Sequence, residues 1–119
     1  REVFEDITAG IRSVDPNHII FIEGNSYAND HSGLTPPWDD NIVYSFHKYW
    51  NTNNPGDLDW ILPLRTQYNV PLWMGESGEN SNTWFTDAVT TTLRQCLWAE
   101  TLAITSIQAN NLPPKSVCI

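Results

Sequence analysis

The chain has 119 residues, 40% of them hydrophobic, and carries 14 Asp plus Glu against six Lys plus Arg, for a formal charge of -8. That balance argues against nucleic acid and anionic membrane surfaces as partners, since both attract Lys/Arg patches. No apolar run approaches the roughly 20 residues that span a bilayer, and the hydrophobic content is that of one small folded domain rather than a disordered chain.

The opening "REVFEDIT" is no signal peptide and lacks a starting Met, so the chain is expected to be cut from something longer. Val3, Phe4, Ile7, Ile11 and Val14 fall at helical spacing and predict an amphipathic helix over 1–14. Pro16 in "DPN" ends it. "HIIFIEG" at 18–24 is apolar on both faces, as a buried parallel strand is. Residues 25–40 read as a polar loop carrying two prolines and Trp38. "NIVYSFHKYW" at 41–50 predicts a second strand. Asp57 to Tyr68 predicts a helix disturbed by Pro63. "VPLWMGE" at 70–76 predicts a third strand, 82–95 a further helix, and "LAITSI" at 102–107 a fourth strand. Cys96 and Cys118 are too few for a disulfide framework and fit no metal spacing, so they read as unrelated thiols.

Polar residues close the first three strands at Glu23, His47 and Glu76, which lie 24 and then 29 positions apart. A strand, a helix and two loops take about 30 residues, so strand and helix alternate and the sheet is parallel. Open parallel sheets and (β/α)8 barrels both place their sites at the strand C-terminal ends. No glycine-rich phosphate cradle follows any strand.

Three strand-end groups therefore converge: Glu23, the pair His47 and Tyr49, and Glu76. His47 and Tyr49 are two apart and point to one face of a regular strand. A phenol beside a carboxylate stabilises its ionised form, which suits a nucleophilic glutamate. The residues alone leave a second reading open, in which Glu76 caps the next segment and His47 is a satisfied core histidine. Trp38 and Trp50 are placed in loops on the same end, where indole packs on sugar C–H faces and "NSYAND", "WDDN" and "NTNN" supply hydroxyl partners. Trp60, Trp73 and Trp84 read as core. Asp30, His31, Asp39 and Asp40 match no metal-ligand spacing, and neither metal nor cofactor is expected.

"IRSVDPNHIIFIEGNSYANDHSGL", "NIVYSFHKYW" and "VPLWMGESGENS", in that order and spacing over residues 8–89, resemble the C-terminal half of glycoside hydrolase family 5, the cellulase family. The resemblance implies an α/β fold: the C-terminal half of a (β/α)8 TIM barrel, about four parallel strands corresponding to strands five to eight. Residues 1–119 would form a partial catalytic domain whose end, 90–119, departs from the family pattern. It implies that Glu76 is the nucleophile, that His47 and Tyr49 surround and orient it, and that Glu23, Asn25 and Tyr27 line the cleft. It implies a retaining enzyme of the endo-β-1,4-glucanase type, secreted, acting on a β-linked polysaccharide or oligosaccharide. Retention needs two carboxyl groups about 5–5.5 Å apart. The family's acid/base glutamate stands in an Asn-Glu-Pro that this sequence does not contain. Glu23 ends the neighbouring strand, at a distance that allows a substitute, but is not expected to serve as one, and Glu79 reads as a rim group. The isolated chain is accordingly expected to be inactive, with open sheet edges that pair with a second copy or with the rest of a barrel. The rival readings are a non-catalytic carbohydrate-binding protein, against which the strand–helix alternation argues, and a non-functional truncated gene product.

Overall fold

The computed structural model describes residues 1–49, 52–79 and 81–90. Helix α1 (Glu2–Val14) carries Glu2 and Glu5 in its first turn and Arg12 in its last, a charge order that complements the helix dipole. Strands β1 (Ile20–Glu23), β2 (Ile42–Tyr49) and β3 (Leu72–Gly78) form a parallel sheet in the order β1-β2-β3. Each of the three apolar runs in the sequence is thus a strand. The expected fourth, at 102–107, lies outside the described residues, as do Cys96 and Cys118.

Between β1 and β2 the loop holds a short helical turn, α2 (Asn25–Ala28), and a single turn of 3-10 helix, Ser32–Leu34. Ser26, Tyr27 and Ala28 have φ of 53°, 58° and 63°, so this turn is left-handed. Helix α3 (Leu62–Tyr68) begins five residues later than Asp57. Pro63 sits in its first turn, where the missing N–H costs nothing and the fixed φ suits a helix. The proline therefore starts this helix rather than disturbing one already under way, and 55–61 is a run of turns. Asn69, with φ 50°, closes it in a left-handed cap. A further helix covers 82–90 within the described residues.

The core lies on one face of the sheet. Ile20 and Ile22 of β1, Ile42, Tyr44 and Phe46 of β2 and Leu72 of β3 pack there with Leu34, Leu58, Ile61 and Val70. Ile11 of α1 packs against this cluster, whereas Val3, Ile7 and Val14 of the same helix are exposed. Arg12 closes the contact by donating from Nε and Nη2 to both carboxylate oxygens of Asp39, each at 2.8 Å. Phe46 is the central apolar residue of the central strand. Phe46→Ala is expected to cost about 3–5 kcal/mol of stability, measured by urea unfolding. A loss under about 1 kcal/mol would contradict this placement of the core.

The other face is different. It carries Phe21 and Glu23 from β1 and Val43, Ser45, His47 and Tyr49 from β2, because alternate residues of a strand point oppositely. Phe21 is half exposed there and meets the ring of Trp73 edge-on, with centroids 5.7 Å apart.

Candidate active site

The site sits at the C-terminal ends of the three strands, on the face away from the core. Register sets its geometry. Phe21, Ile22 and Glu23 pair with Val43, Tyr44 and Ser45, so Glu23 stands beside Ser45 on the same face. Along β2 the next two residues of that face are His47 and Tyr49. On β3 the pairing runs Tyr44 with Leu72, Ser45 with Trp73 and Phe46 with Met74, then skips Gly75 and resumes with His47 opposite Glu76. Gly75 is a bulge. Strict alternation from Trp73 would send Glu76 to the core face, and the one extra residue returns it to the side of His47 and Tyr49.

Only glycine fits at that position. A Cβ on Gly75 would collide with the Ser45 hydroxyl, and it would lie 3.5 Å from Glu23 Oε1 and 3.6 Å from the Trp73 ring. The tight contact is what brings the two carboxylates close to one imidazole.

The polar contacts form a chain. Ser45 Oγ donates to Glu23 Oε1 at 3.2 Å. His47 Nε2 is 3.2 Å from the same oxygen, and its Nδ1 is 3.5 Å from Glu76 Oε2. The Tyr49 hydroxyl donates to Glu76 Oε2 at 3.1 Å. His47 is largely covered, with its side chain 12% exposed, while Glu23 and Glu76 are each 56% exposed. The carboxylates thus face open space over a fixed imidazole. The hydrogen bond to Glu76, which the phenolate cannot make, raises the titration of Tyr49 above the ordinary phenol value of 10.0, with burial adding to the effect. The tyrosinate absorbance lost on Tyr49→Phe is therefore expected to develop above the normal phenol range in the parent chain and to move back toward it in Glu76→Ala, which removes the acceptor. An unchanged midpoint would contradict the contact.

The loop after β1 buttresses this arrangement from behind. His31 is buried, 3% exposed, and its Nε2 donates to the Ser45 carbonyl at 2.9 Å. Burial lowers its basicity, consistent with a neutral ring whose Nδ1 has no partner among the described residues. Gly24 lets that ring and the Asp30 carbonyl approach the chain directly behind Glu23, where a Cβ would collide with the carbonyl. On the core side of β2, buried Lys48 donates to the Thr52 carbonyl at 2.9 Å and lies over the Trp84 ring at 5.7 Å, holding the segment after β2 against the helix at 82–90.

The structure brings Glu23, His47, Tyr49 and Glu76 together. Asn25 is exposed and follows Gly24 at the mouth of the same end. Trp38 is not brought there. Its indole N–H donates to Thr8 Oγ1 at 3.0 Å, Phe4 lies beside it and the Arg1 guanidinium stacks on its ring. It is a packing residue between α1 and the chain leading into β2. The expectation of a sugar platform fails because its loop returns past the sheet before it reaches Trp38. Trp50 lies outside the described residues. Trp73, read as core, shares the site face, and Trp60 is 42% exposed with its ring edge-on to Phe46. Three residues were missed. Ser45 was readable by carrying the alternation of His47 and Tyr49 back two positions. His31 and Gly75 carried no such signal. Asp39 is engaged by Arg12 and His31 by Ser45. Among the described residues no group of three acidic, His or Cys side chains is placed to hold a metal.

No curated protein and no solved structure matches the chain. The family model for cellulase, glycosyl hydrolase family 5, matches residues 1–113. With nearly the whole length covered and a parallel α/β sheet carrying the motif residues at its C-terminal end, the chain belongs to glycosyl hydrolase family 5.

Proposed function

We propose that this chain carries the nucleophile side of a retaining β-glucan hydrolase, secreted and of the cellulase type. The observation that carries the reading is the setting of Glu76. A strand-end carboxylate faces open space, accepts one hydrogen bond from Tyr49 at 3.1 Å and is flanked by His47 at 3.5 Å. In this reading its oxygen attacks an anomeric carbon while the glycosidic C–O bond breaks, forming a glycosyl ester that water then hydrolyses.

The step also needs an acid to protonate the leaving oxygen. The sequence has no Asn-Glu-Pro, and Glu23 is occupied by Ser45 and His47. No described residue is therefore assigned as the proton donor, and turnover of native glucan by this chain alone is expected to be negligible.

An activated aryl glycoside removes the need for the acid, since its leaving group departs unprotonated. A dinitrophenyl cellobioside bearing fluorine next to the anomeric carbon traps the glycosyl ester. The chain is expected to gain the mass of one fluorocellobiosyl group, and to gain it faster than from the matching mannobioside. Faster labelling by the mannobioside would move the substrate class to mannans, and no labelling by either would overturn the reading.

A further inference from the structure

Glu23 sits two contacts from Glu76, and its role is set by where its oxygen points. Oε1 is 3.2 Å from both Ser45 Oγ and His47 Nε2. Being an acceptor, the carboxylate fixes the direction of both bonds: the hydroxyl donates and Nε2 carries the proton. The second ring nitrogen, Nδ1, faces Glu76 at 3.5 Å, beyond a good hydrogen bond. A neutral imidazole carries one proton, so a proton held on Nε2 by Glu23 is a proton kept off Nδ1 and away from Glu76.

We infer that Glu23 is a positioning residue, anchored by Ser45, which holds His47 in its Nε2–H form and so leaves the attacking oxygen of Glu76 with one hydrogen bond among the described residues, that from Tyr49. The logic is that of any acid–imidazole pair in which the carboxylate selects tautomer and ring orientation for a third group. The Tyr49 bond keeps the carboxylate ionised, and a second hydrogen bond, from Nδ1, would stabilise it beyond that need and blunt its attack. Ser45 suits the anchoring role because its carbonyl is itself held by buried His31 at 2.9 Å. This gives Glu23 a hold on His47 rather than a role as a sugar contact, and it rests on the reading of Glu76 as the attacking carboxylate.

The test reads the His47 ring directly, by nitrogen chemical shifts in the full chain, alongside the rate of labelling by the activated fluorocellobioside and the affinity for cellobiose. In the parent the proton is expected on Nε2. In Glu23→Ala it shifts toward Nδ1 and labelling slows roughly tenfold, with cellobiose affinity unchanged. Glu23→Gln keeps an acceptor oxygen and is expected to restore the Nε2–H form and most of the labelling rate. An unchanged ring in Glu23→Ala overturns the inference. So does a loss of cellobiose affinity with the ring unchanged, which would make Glu23 a sugar ligand. If the parent shows the ring response but is never labelled, the reading of Glu76 fails while the hold of Glu23 on His47 stands.

Discussion

Glu76→Gln is expected to reduce covalent labelling by the activated fluorocellobioside by about four orders of magnitude or more, the scale on which removal of an attacking group acts. The amide is nearly isosteric and still accepts from Tyr49, so the fold and the neighbouring contacts survive. What disappears is the anionic oxygen, and a carboxamide forms no stable glycosyl ester. Because the leaving group of this reagent departs without a proton, the loss reports the nucleophile alone. Labelling of Glu76→Gln within tenfold of the parent would mean that another group attacks.

The second large effect is expected at Gly75, a residue with no chemistry of its own. In Gly75→Ala the new methyl group is driven into the Ser45 hydroxyl. Either that hydroxyl turns away, releasing Glu23, or β3 moves off β2. Overpacking of this kind costs about 1–3 kcal/mol of stability. A displacement of about an ångström at the reacting oxygen costs on the order of 100-fold in rate. Labelling is therefore expected to fall about that far while the melting temperature drops by roughly 3–15 °C and the transition stays cooperative. Removing the obstacle should reverse part of the loss. The double variant Ser45→Ala with Gly75→Ala is expected to label faster than Gly75→Ala, a non-additivity that arises only between residues in contact. Parent-like labelling in Gly75→Ala, or a double variant worse than the sum of its parts, would contradict the bulge as the device that aims Glu76.

Much of this architecture was legible in the chain. Apolar runs ending in Glu23, His47 and Glu76 marked three parallel strands, and period-two alternation placed His47 and Tyr49 on a common face. The same rule misplaces Glu76. Trp73 and Glu76 lie an odd number of residues apart yet share a face, because a bulge adds a residue without a signature beyond the glycine itself. Trp38 shows a different failure. Composition put it in a loop but gave no means of telling which end of the sheet that loop had reached, and its indole went to Thr8 and Phe4 instead of the cleft. The start of α3 was misjudged because a proline reads the same way whether it interrupts a helix or begins one. His31 was invisible for a physical reason: its value lies in a single hydrogen bond to the Ser45 carbonyl 14 residues away, which no local pattern encodes. The choice that spacing alone left open, whether the converging carboxylate attacks or caps, rests on the resemblance of the motifs and remains the proposal that the labelling experiments test.

The most direct check is to digest the labelled chain and find the residue that carries the sugar. The adduct is expected on Glu76 alone, within the peptide bearing "LWMGESGE", and absent from Glu76→Gln. An adduct on Glu23, or on no carboxylate of the strand ends, would show that the chemistry has been assigned to the wrong oxygen.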